Sequence, residues 1–273
     1  MEQELVVLAG IVAAAGVFAG LLAGLLGVGG GIVIVPVLEF AFGVVGVPED
    51  LRMHLAVGTS LASIVPTAIS SSLAHRRRDG IDGAVARAWS VAIALGAASG
   101  AWLASRVGGS VLATVFAVVA LVVALRMLTA SEVPRPVSRG DPAAPRWLPI
   151  PVAIGGISAM MGIGGGTLSV PVLSAFGLPI HRAVGTSAWF GFWIATAAAT
   201  GFAWLGRGVS GLPPGSVGYV NLVTLAVLLP TTVLTAPWGA RLAHSLSRRQ
   251  LRIAFGVFLL ITAIRMLYRA LSL

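Results

Sequence analysis

Long apolar segments separated by short polar loops fill almost the whole chain. Because about 20 apolar residues are enough for a helix to cross a bilayer, this pattern predicts membrane spans. Six segments fit this length: 55–74, 84–104, 111–129, 183–205, 217–238 and 253–270. Two longer stretches, 5–46 and 148–178, are interrupted by glycines and prolines. Since both residue types weaken a helix interior, we expect a broken-helix hairpin in each.

The two interrupted stretches carry the same string of residues. The first reads Gly-Val-Gly-Gly-Gly-Ile-Val-Ile-Val-Pro-Val-Leu over 27–38, and the second reads Gly-Ile-Gly-Gly-Gly-Thr-Leu-Ser-Val-Pro-Val-Leu over 162–173. Eight of the twelve positions are identical, at an offset of 135 residues. A second string, His-x-x-x-Gly-Thr-Ser, follows each copy, at 54–60 and 181–187. The chain is therefore an internal duplication.

The duplication sets the domain boundaries. We expect repeat 1 over 1–129 and repeat 2 over 148–273, each a broken-helix hairpin plus three transmembrane helices. Residues 130–147 are rich in proline and arginine, and this composition is typical of an extended, mobile linker. The sequence thus predicts an all-α polytopic membrane protein.

Composition agrees with this prediction. Hydrophobic residues make up 57% of the 273 residues and charged residues only 10%, whereas about a quarter of a soluble domain is charged. The acidic start of the chain differs from the basic start of a signal peptide, so we expect 5–26 to be a retained membrane helix. The chain has no cysteine, and no metal-ligand spacing, phosphate loop or nucleophile–base pair is found. We therefore expect neither an enzyme nor a cofactor.

The net charge of +9 comes from arginine, since the chain has no lysine. The arginines lie in short loops between apolar segments, which is typical of membrane proteins and not of a nucleic-acid-binding face. Loop 75–82 is basic, but its counterpart in the second copy, 206–215, has a single arginine. Loop 241–252 is basic, but its counterpart in the first copy, 105–110, also has one.

This exchange of charge predicts that the two copies have opposite orientations in the membrane, as inverted repeats. Because positive loops face the cytoplasm, we expect both basic loops and the linker 130–147 to be cytoplasmic and both termini to lie outside. Transporters with inverted repeats commonly bind substrate near the membrane midplane, between the two copies.

Three consecutive glycines are unusual in a membrane helix, since each costs about 1 kcal/mol relative to alanine. Close helix packing explains spaced glycines such as Gly16 and Gly20. A contiguous triplet before a proline instead favours an unwound tip, where the N–H groups of the next helix bind an anion. The predicted anion-binding residues are Gly29, Gly30, Gly31, Gly164, Gly165 and Gly166. We expect 27–31 and 162–166 to be non-helical and close together, and valine at Gly30 or Gly165 to block transport but not membrane insertion.

Polar side chains near the glycines have two interpretations each. The hydroxyls of Thr59, Ser60, Thr186 and Ser187 would line the anion site, or they cap or back-bond a helix. The imidazoles of His54 and His181 would couple transport to protons, or they lie at the membrane interface. Among charged residues, Arg126 and Arg265 are expected to snorkel to the interface, and Glu39 has no acidic counterpart in the second copy.

The paired Gly-Gly-Gly-x-x-x-x-Pro and His-x-x-x-Gly-Thr-Ser strings resemble the TauE/SafE sulfite-exporter family of membrane transporters over nearly the whole chain. The resemblance implies transport of sulfite or an organosulfonate across a bacterial cytoplasmic membrane, with the site beside the glycine tips. The predicted partners are a small anion, the lipid bilayer and a coupling ion, either a proton or sodium. The residues alone leave three functions open: a secondary transporter, an anion channel, or an accessory membrane subunit.

Overall fold

The computed structural model describes residues 2–26, 31–129, 140–245 and 248–271. Within these ranges the chain is almost entirely helical. The helices are α1 (Glu2–Leu26), α2 (Gly31–Val44), α3 (Glu49–Arg76), α4 (Gly83–Ala104), α5 (Gly109–Thr129), α6 (Pro149–Met161), α7 (Gly166–Ala175), α8 (Ile180–Leu205), α9 (Leu222–Ser245) and α10 (Arg248–Leu271). A short 3-10 helix covers Pro145–Trp147, and the strands β1 (Ser216–Val217) and β2 (Val220–Asn221) form a two-stranded antiparallel sheet.

Six of the described helices, α3, α4, α5, α8, α9 and α10, contain a segment long and apolar enough to cross a membrane. They coincide with the six predicted spans. The pairs α1–α2 and α6–α7 occupy the two stretches for which broken-helix hairpins are predicted. The prediction of an all-α polytopic membrane fold is confirmed.

The predicted span 217–238 is wrong at its start. Residues 216–221 form the two-stranded sheet, and α9 begins only at Leu222. Gly215 and Gly218 have positive φ angles of 77° and 56°, which L side chains rarely adopt. The chain therefore turns back here, although Val217 and Val220 are as apolar as the residues of the helix that follows.

The linker prediction is also wrong for its described part. Residues 140–147 pack against the helices: the indole Nε1 of Trp89 donates to the carbonyl of Pro142 at 2.8 Å, and the ring of Trp147 meets Phe176 edge-on at 5.1 Å. Buried indoles need such partners and contribute large apolar areas. This segment is therefore anchored, while 130–139 lies outside the described residues.

Helices α1 to α5 of the first copy are equivalent, in order, to α6 to α10 of the second. The contacts between helices repeat when each helix is exchanged for its equivalent. Helix α1 packs on α9 as α6 packs on α4, and α2 packs on α3 as α7 packs on α8. The central pairs α3–α8 and α5–α10 join equivalent helices. The copies therefore interlock and are not two separate bundles side by side.

Glycines set several of these close contacts. A Cβ atom at Gly16 would lie 2.0 Å from the Thr231 hydroxyl of α9, and one at Gly100 would lie 2.4 Å from the Gly156 carbonyl of α6. These distances are well below any real Cβ contact. The packing expected for Gly16 is therefore present, and small residues allow the helix backbones to touch.

The glycines of the two Gly-Thr-Ser strings also make equivalent contacts. A Cβ at Gly58 of α3 would lie 2.3 Å from the carbonyl of Tyr219, and one at Gly185 of α8 would lie 2.1 Å from the carbonyl of Gly80. Tyr219 and Gly80 occupy the same place before α9 and α4, at an offset of 139 residues. Each Gly-Thr-Ser string therefore packs closely against the loop that leads into a helix of the other copy.

We predict that Gly58→Ala and Gly185→Ala each destabilise the protein, because the added methyl collides with a backbone carbonyl that cannot rotate away. Overpacking of this kind costs about 1–3 kcal/mol, measurable as a lower melting temperature in detergent. Gly10→Ala is the control, since a Cβ at Gly10 meets nothing within 4 Å. Equal melting temperatures for all three variants would contradict the close approach.

Candidate functional site

The predicted break is present in the second copy. Helix α6 ends at Met161, Gly162 adopts a left-handed conformation (φ 71°, ψ 28°), and α7 begins at Gly166. Residues 162–165 are therefore non-helical, and Gly166 is the first helical residue. In the first copy, Gly29 and Gly30 lie outside the described residues, and Gly31 opens α2 and is therefore helical, contrary to the expectation for 27–31.

Residues of both copies meet at this break. The Ser60 hydroxyl of α3 donates to the Gly162 carbonyl at 2.8 Å. A Cβ at Gly31 would lie 2.9 Å from the same carbonyl oxygen and 3.0 Å from the Cα of Ile163. The start of the second arm in copy one therefore rests on the break of copy two, next to the middle of α3.

The glycines of the second triplet differ in their surroundings. A Cβ at Gly165 would lie 2.5 Å from the Ser187 carbonyl of α8, so Gly165 is required for packing. Valine at Gly165 would collide with this carbonyl, a packing effect that the prediction of blocked transport with intact membrane insertion did not include. A Cβ at Gly164 would meet only the Ile64 side chain, at an ordinary 3.4 Å. Gly164 thus has space beside it that a methyl group would take.

Unpartnered polar groups surround the break. No side chain caps the N-terminus of α7, and the first N–H groups of a helix have no partner within the helix. Among the described residues, the buried hydroxyls of Ser158, Ser169 and Ser187 also have no hydrogen-bond partner. Each buried group without a partner costs free energy. A ligand that accepts hydrogen bonds from these donors would remove that cost.

Sequence reasoning missed Ser158 and Ser169. Comparison of the copies offered no signal for them, because the equivalent positions in copy one are Ala23 and Ile34. Ser158 lies in the last turns of α6, where its carbonyl accepts the N–H of Ile163, and the N–H of Ser169 donates to the carbonyl of Gly165. Both residues therefore flank the break directly.

The threonine hydroxyls have backbone partners. Thr59 accepts the N–H of Asn221 at 3.0 Å, and Thr186 accepts the N–H of Asp82 at 2.9 Å. Asp82 and Asn221 are equivalent, and the side chain of each caps the helix that follows it, α4 or α9. Each threonine therefore fixes the start of a helix in the other copy. Neither interpretation from the sequence included this partner.

The two histidines have different environments. The His54 ring is buried, with Nδ1 3.0 Å from the Asp50 carbonyl and Nε2 3.0 and 3.1 Å from the carbonyls of Ala104 and Val107. It stacks on Tyr219 at 4.8 Å; burial raises the pKa of Tyr219, and the negative charge of Asp50 raises it further. His181 is exposed on the first turn of α8.

An ion-pair cluster joins α2 to α10. The buried carboxylate of Glu39 accepts from Arg265 at 3.1 Å and also pairs with Arg269. The Arg265 guanidinium lies over the ring of Phe40, 5.0 Å from its centroid. The interpretation of Arg265 as a snorkelling residue did not include a partner, whereas the structure pairs it with an acid 226 residues away. Its repeat equivalent, Arg126, is exposed.

The described residues contain no group of three potential His, Cys, Asp or Glu metal ligands. What they bring together is Gly31, Ser60, Gly164, Gly165 and Ser187 of the predicted site, with free hydroxyls and an uncapped helix start. Such a set of donors can bind an anion through backbone N–H and hydroxyl groups.

Known proteins similar to this chain are named probable membrane transporter proteins. A probable membrane transporter protein of Haemophilus influenzae is 33% identical over 92% of this chain and 95% of its own length. Probable membrane transporter proteins of Methanocaldococcus jannaschii and Bacillus subtilis are 25% and 26% identical, over 98% and 93% of this chain and 98% and 95% of their own lengths. No solved structure matches the chain significantly.

The family model described as Sulfite exporter TauE/SafE matches residues 12–266, which includes both glycine strings, five of the six apolar spans and most of the sixth. The match agrees with the resemblance of the paired motifs and with the six helices that are long and apolar enough to cross a membrane. The chain belongs to the TauE/SafE sulfite exporter family of membrane transporters and is a transporter, not an enzyme.

Proposed function

We propose that the protein is a secondary transporter that moves a small anion, sulfite or an organosulfonate, across the bacterial cytoplasmic membrane by alternating access. The observation that carries this proposal is the second glycine break, an uncapped helix start enclosed by α3 and α8 with buried, unpartnered hydroxyls beside it. The family description supports a sulfur oxyanion as the substrate class.

The anion would bind at the glycine tips Gly29–Gly31 and Gly164–Gly166. Ser60 and Ser187 would add hydroxyl donors, since Ser60 contacts Gly162 and the Ser187 carbonyl lies close to Gly165. Thr59 and Thr186 hold the surrounding helices in place. Helix N-termini suit this task because they offer N–H donors and a partial positive charge without a titrating group. Residues 161–163 and 165 are buried, and this enclosure favours a carrier over an open anion channel or a subunit without transport of its own.

Inverted repeats are part of the proposal. The exchange of equivalent helix contacts supports a two-fold relation between the copies. The arginine pattern then assigns the end with loops 75–82 and 241–252 to the cytoplasm and the end with 105–110 and 206–215 to the outside. In this arrangement alternating access is a movement of the hairpins around the central α3–α8 pair.

Single cysteines introduced into this cysteine-free chain test the orientation. We expect Arg78→Cys and Arg249→Cys to be protected from an impermeant thiol reagent in intact cells, and Arg106→Cys and Ser210→Cys to be labelled. All four native residues are exposed, so protection reports the membrane and not burial. Labelling of Arg78→Cys in sealed cells would exclude the inverted arrangement.

Gly164→Ala tests the site without disturbing the packing. We expect the variant to purify with an unchanged melting temperature and to lose about tenfold or more of its sulfite transport in proteoliposomes, because the methyl fills the space beside the helix start and removes close backbone contact. Gly156→Ala on α6 is the matched control, with a Cβ 3.5 Å from its nearest neighbour. Wild-type transport by Gly164→Ala would refute the glycine site.

The flux kinetics in the same proteoliposomes separate the candidate functions. A carrier gives a saturable rate and counter-transport, a channel gives neither, and an accessory subunit gives no flux.

A coupling role is proposed for His54 and not for the exposed His181. Carbonyl oxygens only accept hydrogen bonds, so a protonated His54 ring can donate to both sets of carbonyls and a neutral ring to only one. We expect His54→Gln to abolish accumulation driven by a proton gradient while exchange of sulfite at equal concentrations continues. His181→Gln should keep both activities. Gradient-driven accumulation by His54→Gln, or accumulation that follows a sodium gradient instead, would exclude this role.

A further inference from the structure

Three segments that are distant in the chain, 75–89, 140–147 and 176–186, meet at one end of the helix bundle, the basic end. Hydrogen bonds join the first segment to each of the other two, and an edge-on ring contact joins the second to the third. The described residues of this end include six exposed arginines: Arg76, Arg77, Arg78, Arg87, Arg146 and Arg182. Three aspartates lie in the same segments, so the arginines outnumber the acids.

The opposite end has a smaller excess of positive charge. Its segments are 45–53, 104–110 and 205–221. They hold three arginines and two acids. Each of these arginines has a partner within the protein, because Arg52 donates to a backbone carbonyl at 2.7 Å, and Arg106 and Arg207 lie over tryptophan rings.

Arg76, Arg77 and Arg78 at the basic end lack such partners. Within the described part of the chain, their guanidinium groups have no hydrogen bond, ion pair or ring contact. A guanidinium group carries five N–H donors and stays charged. These three consecutive arginines therefore offer both charge and donors to a partner outside the chain.

The basic end lies at the depth of the lipid headgroups. Helix α3 has 28 residues and α8 has 26, which correspond to lengths of about 42 and 39 Å. A bilayer is about 30 Å thick in its hydrocarbon core and about 40–45 Å thick with its headgroups. Arg76 is the last residue of α3 and Arg182 is the third of α8. Both therefore reach the headgroup layer when these helices span the membrane.

We propose that the basic end is a docking surface for anionic phospholipids, whose headgroup phosphates bind the exposed arginines. Clusters of about four to eight basic residues beside a membrane helix attract anionic lipids, and guanidinium groups bind phosphate oxygens in a two-point geometry. Successive residues at a helix end point about 100° apart. The arginines at 76–78 therefore face separate headgroups, which fits a layer of lipids better than one soluble phosphate in a pocket.

The docking surface includes arginines of both copies. Orientation of the helices in the membrane requires only positive charge in the loops, but the contacts at the basic end also gather that charge in one place. The Arg182 guanidinium of copy two lies 3.8 Å from the Asp82 carboxylate of copy one, next to the loop that carries Arg78. Lipids bound across this boundary link the ends of α3, α4 and α8, and they stabilise the folded protein because they bind only to it.

Melting temperatures of the full-length protein in dodecyl maltoside test the proposal. We expect dioleoyl phosphatidylglycerol to raise the melting temperature of wild type and dioleoyl phosphatidylcholine to leave it unchanged. The double variant Arg77→Gln with Arg78→Gln should bind phosphatidylglycerol about 25-fold more weakly, since each arginine near an anionic surface contributes about fivefold. The titration with lipid gives the apparent Kd.

The matched control is Arg106→Gln with Arg207→Gln, which removes two exposed arginines from the opposite end. This variant should keep the wild-type Kd for phosphatidylglycerol. Equal losses in the two double variants would show attraction to the net charge of the protein and would overturn the docking surface. Equal shifts with both lipids, or no shift with phosphatidylglycerol, would overturn it as well.

Two measurements on wild type cover the case in which the arginine variants do not purify. Raising NaCl from about 0.1 to about 1 M shortens the screening length from about 10 to about 3 Å, so the Kd for phosphatidylglycerol should rise; an unchanged Kd would overturn the proposal. Glycerophosphoglycerol has the same headgroup without acyl chains and should give no shift at the same concentration. An equal shift would identify a site for soluble phosphate esters in place of a lipid surface. None of these outcomes depends on transport of an anion.

Discussion

This structure depends on one constraint. Where a helix stops inside a membrane, its last backbone N–H and C=O groups lose their hydrogen-bond partners. Hydrocarbon cannot bond them, so a break survives only where protein or a wet cavity covers it. At the second break the left-handed Gly162 closes α6, and Ser60 of the other copy donates to its carbonyl. Gly31 fits against the same carbonyl because it has no side chain. The hairpin of one copy is therefore completed by residues of the other.

The same dependence extends to the helix starts. Thr59 holds Asn221 at the start of α9, and Thr186 holds Asp82 at the start of α4. Gly58 and Gly185 allow the loops before these residues to approach. Because each Gly-Thr pair acts on the opposite copy, α3 must move together with the start of α9, and α8 with the start of α4. A relative movement of the copies that breaks these bonds would leave buried groups unpaired, at about 1–3 kcal/mol each.

The sequence predicted the helices well because lipid requires long apolar segments and leaves few alternatives. It placed a break at 162–166 because contiguous glycines have no other ready explanation, and the structure has the break at 162–165. It missed the sheet at 216–221, since Val217 and Val220 are as apolar as residues of a membrane helix, and the positive φ angles of Gly215 and Gly218 are not evident from the sequence. It also missed the pairing of Glu39 with Arg265, because no local pattern connects residues 226 positions apart. Side-chain partners of Thr59 and Thr186 depend on the interlocking of the copies, which periodicity does not specify.

The two copies have diverged and carry different polar side chains in their hairpins. The hairpin of copy one carries Glu39 where copy two has Ser174, and the hairpin of copy two carries Ser158 and Ser169 where copy one has Ala23 and Ile34. For a carrier of the proposed kind, two identical repeats would give two conformations of equal free energy with equal affinity for the anion. Unequal side chains stabilise one conformation by their differential contacts. They do not set the direction of net transport, which the gradients determine, but they make affinity differ between the two faces of the membrane. The charged cluster at one end and the unpartnered hydroxyls at the break are two such differences, and in the proposed carrier they would make the two conformations unequal in free energy.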